Sequence, residues 1–124
     1  GGIEVIDKGT NSKESVDYPK YGHAVANAVV SKEVDFGILV CTTGVGISIA
    51  ANKIKGVRAA LCTDTTTAKL TREHNDANIL ALGSGIVGQF VALDIVDTFL
   101  STSFEGGRHQ KRVDQIEVEG CNLF

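Results

Sequence analysis

Apolar runs alternate along the chain with stretches whose apolar residues recur at helical spacing. Residues 3–6 read as a short strand closed by Asp7-Lys8-Gly9, and the polar run 10–15 as a loop. Asp17 is placed to cap a helix whose first turn tolerates Pro19, with Tyr21, Val25, Ala28 and Val29 following at helical spacing. Residues 36–41 are continuously apolar, as in a strand buried on both faces. A turn over 42–46 leads into a helix from about Ile47 to Asn52, and 57–62 give another buried strand. Asp64 is placed to cap a helix reaching about Glu73, 79–82 form the next strand, and 87–100 a further helix. After Phe104 the chain turns polar and basic, EGGRHQKRVDQIE.

Strands alternating with helices at this spacing imply right-handed crossovers and a parallel sheet. The expected fold is α/β: a three-layer α/β/α sandwich with a Rossmann-like sheet, one domain over 1–124 with a short tail at 118–124. Ligands in such folds lie beyond the carboxyl ends of the strands. The segments to inspect are therefore 7–18, 41–46, 63–64 and 83–85, together with the helix end near His74.

Composition removes several function classes. The chain has 124 residues, 12 Lys+Arg against 15 Asp+Glu and a net charge of −3, so no basic run suits it to general nucleic-acid binding. No apolar stretch approaches the ~20 residues of a membrane span, and no signal peptide opens the chain. Three cysteines, Cys41, Cys62 and Cys121, form no C-x-x-C pair, which points to a reducing cytoplasm. Methionine is absent, so the given chain does not start at an initiator and the natural protein is expected to be longer.

The most informative segment is VCTTGVGIS, residues 40–48. A strand ends in a thiol, two hydroxyls follow, and Gly44-Val45-Gly46 open a helix. Such glycines let backbone N–H groups converge on an anion, a phosphate or a developing oxyanion. A tight turn without ligand has the same pattern. No lysine follows the glycines, which excludes a P-loop. A dinucleotide fingerprint is a weak rival: Gly44, Gly46 and Asp64 fit its spacing, whereas Ile49 occupies the third glycine position.

Cys41 reads either as a small buried hydrophobe or as a thiolate favoured by the helix start behind it. Cys62 and Cys121 read as structural. REHNDAN, residues 72–78, offers His74 as an acid–base group or as an ordinary helix terminus. In GGRHQKR, residues 106–112, Arg108 and Arg112 would share one face of a helix and could clamp a phosphate, or form a solvated basic face.

Together, DYPKYGHAVA, CTTGVGISIAANK, REHNDAN and EGGRHQKR come in an order that resembles the ribose-5-phosphate isomerase B family, shared with the galactose-6-phosphate isomerase subunits. The resemblance runs from about Ile3 to Glu117. It implies a metal-free, cofactor-free aldose–ketose isomerase of the pentose phosphate pathway, interconverting ribose 5-phosphate and ribulose 5-phosphate through a cis-enediolate. By that analogy Cys41 is the base, and Thr43 with the N–H groups of Thr42, Gly44, Val45, Gly46 and Ile47 cradles the oxyanion. His74 would open the sugar ring, Asn75 would hold sugar oxygens, and Tyr18 would line the pocket. Arg108 and Arg112 would grip the phosphate in a neighbouring subunit's site, which implies a homodimer or higher homo-oligomer.

Some members instead use a glutamate three residues after the first glycine; here that position is Ile47, which points to the cysteine branch. Thr42 stands where many relatives have glycine. Allose 6-phosphate and galactose 6-phosphate are the alternative substrates. The family also opens with a strand carrying an Asp-His pair and a helix, roughly 25 residues, ahead of the strand that begins here at Ile3. A reading of a different class is a non-catalytic Rossmann-like module binding a nucleotide or sugar phosphate at Gly44–Gly46.

Overall fold

The computed structural model describes Ile6 and residues 18–117. The expected strand at 3–6 (all but Ile6), the loop at 10–15, the Asp17 cap, Cys121 and the tail after Glu117 lie outside the described residues. The element order is α1 (Tyr18–Val30), β1 (Gly37–Cys41), α2 (Val45–Asn52), β2 (Ala59–Leu61), α3 (Thr65–Asn75), β3 (Ile79–Gly83), α4 (Gln89–Ser101) and α5 (Arg108–Ile116).

The three strands are parallel in the order β1-β3-β2, so β3 is the shared partner. Gly37 pairs with Ile79 and Cys41 with Gly83 on one side; Ala59 to Leu61 pair with Ile79 to Ala81 on the other. Alternate residues of β3 enter separate apolar clusters. Ile79 and Ala81 pack with Leu39 of β1, Ala26 and Val29 of α1, and Ile47 and Ala51 of α2. Leu80 and Leu82 pack with Cys62, Ala68 of α3, and Ile95 and Phe99 of α4. All five residues of β3 are buried, as its continuous apolar run requires.

The flanking strands are more open than their apolar sequences suggest. β2 is shorter than expected and half-buried throughout, because within the described sheet it pairs on one side only. Arg58, just before it, sends its carbonyl to the N–H groups of Asn78 and Ile79 rather than continuing a regular ladder. On β1, Val40 is 58% exposed. Helices α1 to α4 begin near where the periodicity puts them; α2 starts at Val45, two residues early, because Gly44 supplies the turn, and α5 forms in the polar segment where the periodicity marked no element.

One buried cation holds the far side together. The Arg72 guanidinium donates to Ala77 O at 2.7 Å, Asp76 Oδ1 at 2.9 Å and Thr102 O at 3.0 Å, and lies 4.8 Å from the Phe36 ring centre. Every donor contact is charge-assisted, which is what makes burial of an arginine tolerable. It ties the end of α3 to the segment leaving α4 and fixes the chain near His74.

Candidate active site

The carboxyl edge of the sheet carries the glycine nest. Cys41 is the last residue of β1; its half-buried side chain packs against the α1–α2 cluster, and its carbonyl accepts from Ser84 N at 2.7 Å. The next carbonyl, Thr42, accepts from Gly85 N at 2.9 Å, so the loops after β1 and β3 are stitched together. That closeness demands Gly83: a Cβ there would lie 2.5 Å from the Thr43 carbonyl oxygen.

Gly44 then turns the chain with φ 79°, a left-handed conformation that suits glycine. A side chain there would also meet Leu61 at 2.7 Å and the Leu82 backbone at 2.9 Å. Thr43 Oγ1 accepts from Val45 N at 3.2 Å, leaving its own O–H proton to donate elsewhere. Ser48 N is satisfied by Gly44 O. The N–H groups of Gly46 and Ile47, between them in the first turn of α2, have no acceptor among the described residues. The Ile47 side chain is buried in the core, so only its backbone faces this edge. The Tyr18 ring lies over Gly46, so close that a Cβ on Gly46 would fall 2.7 Å from Cζ. Cys41, Thr42, Thr43, Gly44–Gly46, the backbone of Ile47 and Tyr18 therefore form one group.

Asp64, also on this edge, is committed elsewhere. Its side chain caps α3, accepting from Thr67 N at 2.6 Å and Thr67 Oγ1 at 3.1 Å, and those bonds, the backbone one first, lower its carboxyl pKa. A carboxylate so engaged is poorly placed to hold a ribose, which removes the support for a dinucleotide reading. Cys62 is buried, and that burial, with the charge of Asp64 second, pushes its thiol up to about 11. It reads as an inert core residue, in agreement with the sequence.

The remaining candidates lie at the opposite edge. Helix α3 runs back across the sheet, so His74 and Asn75 at its end sit next to the start of β3. Asn75 lines an open groove with Asn52, Arg58 and Glu117. Arg108 and Arg112 lie one turn apart on α5, both exposed, with no ion pair to another described residue. The five residues of β1 separate the two edges by about 13 Å. One chain thus holds two half-sets of candidate residues and does not bring them together.

Sequence reasoning missed Glu105 and gave no role to His109. Glu105 Oε1 lies 3.3 Å from His109 Nε2 and 3.7 Å from His74 Nε2, and the two imidazoles stack with centres 4.4 Å apart. The Glu105–His109 spacing of four would signal a helical pair, but Gly106 and Gly107, both at positive φ, break the helix between them and hide it.

The chain matches the family model described as Ribose/Galactose Isomerase over residues 1–116. It is 58% identical over 115 residues to ribose-5-phosphate isomerase B of Escherichia coli, covering 93% of this chain and 77% of that protein. A putative sugar phosphate isomerase of Bacillus subtilis is 56% identical over 123 residues, 98% of this chain and 83% of the relative. Among solved structures, ribose-5-phosphate isomerase B of Clostridium thermocellum superposes with a TM-score of 0.91 at 62% identity, covering 93% of this chain and 78% of that one. The Thermotoga maritima counterpart gives 0.90 at 56% identity, with 93% and 79% covered.

Proposed function

The chain belongs to the ribose/galactose isomerase family, and on that premise we propose that it interconverts ribose 5-phosphate and ribulose 5-phosphate by proton transfer between C2 and C1 through a cis-enediolate. The observation that carries this reading is the nest itself: a thiol, a hydroxyl with a spare proton and two N–H groups with no acceptor among the described residues, together at one strand end. A proton α to a carbonyl is weakly acidic, so its removal needs a positioned base and donors waiting for the oxyanion. Cys41 supplies the base. The Thr43 hydroxyl and the N–H groups of Gly46 and Ile47 supply the cradle, with Thr42, Gly44 and Val45 shaping it. Tyr18 walls the sugar pocket.

Ring opening by His74, sugar contacts from Asn75 and phosphate binding by Arg108 and Arg112 come from a second copy of the chain. This follows from the separation of the two edges: no single chain can apply both half-sets to one sugar. In a two-fold dimer each chain lends its lower edge, where the strands begin, to the partner's upper edge, where they end in the glycine nest, giving two sites per pair. Ribose 5-phosphate is preferred to allose 6-phosphate or galactose 6-phosphate because the Escherichia coli, Clostridium thermocellum and Thermotoga maritima relatives are ribose-5-phosphate isomerases.

The test is isomerisation of ribose 5-phosphate without added metal, beside the Cys41→Ser variant. Turnover that collapses in the variant supports both reaction and base. Full activity in Cys41→Ser removes Cys41 as the base, and no turnover by the unaltered protein removes the reaction.

A further inference from the structure

The structure assigns a second property to the lower edge: we propose that His74, Glu105 and His109 form a three-ligand site for a borderline divalent cation such as Zn²⁺, whose occupancy shuts the isomerase off. Each of the three offers one ligand atom, and those atoms all lie within 4.8 Å of one another. Two ligands bound tetrahedrally at about 2.05 Å stand about 3.3 Å apart. The two carboxylate–imidazole gaps, 3.3 and 3.7 Å, already match that spacing. Only the gap between the imidazoles has to close, by about 1.5 Å at most, through a rotation of the more exposed His74 ring out of its stack.

The scaffold under these groups is firm. His109 is buried, and among the described residues its polar side-chain partner is Glu105. Glu105 N donates to Glu73 O at 3.1 Å, which pins the carboxylate's backbone beside the residue preceding His74. Two imidazoles and one carboxylate suit zinc better than magnesium or calcium, which prefer all-oxygen shells. The Glu105 and His74 side chains are 52% and 40% exposed, so the fourth coordination position opens to solvent. A metal there needs neutral imidazole lone pairs and releases any proton they carry.

The inhibitory half of the proposal rests on the isomerase reading. A His74 whose Nε2 is bound to a cation can neither take nor give a proton at a furanose ring. The binding half stands without it.

The experiment titrates the EDTA-stripped full chain with Zn²⁺ at neutral pH against a chromophoric chelator. The expected result is one ion per chain, with Glu105→Gln and His74→Asn each weakening uptake at least about tenfold. Both substitutions change accessible side chains, and unchanged circular dichroism and Tm verify their folds. Cys41→Ser should leave uptake intact, and Co²⁺ in the unaltered protein should show ligand-field bands without thiolate charge transfer. No stoichiometric uptake, uptake indifferent to both lower-edge variants, or a thiolate band each overturns the site. Zn²⁺ should also abolish turnover reversibly with EDTA; saturating zinc without inhibition overturns the regulatory half. A protein that binds zinc but never isomerises ribose 5-phosphate sinks the isomerase reading alone.

Discussion

The two ends of this sheet are made of different material. At the carboxyl edge the geometry is set by backbone: a left-handed glycine, two loops joined by main-chain hydrogen bonds, and N–H groups with no acceptor among the described residues. At the amino edge it is set by long, titratable or charged side chains: His74 at the end of α3, Glu105 just ahead of α5, and Arg108, His109 and Arg112 on α5. The first kind of site is preorganised and neutral, suited to stabilising charge that appears during a reaction. The second suits charge that is already present, such as a phosphate. An isomerase of sugar phosphates needs both, and here each chain holds them on opposite sides of its sheet.

The sharpest way to break this contrast is complementation. Cys41→Ser and His74→Asn are each expected to lower kcat by about 10²–10⁴-fold, the range for losing a positioned acid–base group. Unfolded, mixed and refolded together, the two dead proteins should recover about a quarter of normal activity, since in the proposed dimer half the pairs would be hybrids with one intact site. No recovery would mean that both half-sets act within one chain or that the roles are misassigned.

A next, smaller effect separates the edges by kinetic signature. Arg112→Ala should raise KM for ribose 5-phosphate by roughly 10–100-fold, the worth of a charge-assisted phosphate contact, with a much smaller change in kcat. A loss confined to kcat would argue against phosphate binding at α5.

Smaller again is the cost of disturbing the backbone edge. Gly44→Ala forces a side chain into a left-handed turn and against Leu82, and should cost about 1–3 kcal/mol in denaturant unfolding. An unchanged unfolding midpoint would show that the nest is not held by its turn.

The least effect concerns Cys62. Its pKa is raised in the folded protein, from 9.0 to about 11, so the folded state holds its proton where the unfolded state releases it. The resulting stability is complete below about pH 9 and drains away as pH rises towards 11. Cys62→Ala should flatten that alkaline decline relative to the unaltered protein, and Cys62 should resist alkylation that consumes Cys41. An alkaline decline as steep in the variant would assign it to other groups.

The upper edge was largely legible in the sequence, because its information is local: strand, thiol, hydroxyls, glycines and helix follow one another within 40–48. The alternation of apolar runs likewise marked β1, β3 and helices α1 to α4, but not α5, which lies in the polar segment after Phe104. What one chain's sequence left hidden was arrangement. Nothing in the order of residues says that β3 lies between β1 and β2, or that His74 ends at the far side from Cys41. That depends on α3 running the length of the sheet. Glu105 was invisible because its partner in α3 lies about thirty residues away and its helical partner lies beyond two glycines.

Because β3 takes part in every strand pairing of the described sheet, synthesis has an awkward interval. The nascent chain brings out β1 and then β2, which do not pair with each other, and neither has its described partner until residues 79–83 leave the ribosome. Until then two apolar strand segments wait without the partner that joins them in the described sheet, a state prone to wrong association. Translation speed through α3 and into β3 therefore bears on the yield of folded protein, while leaving its final stability untouched.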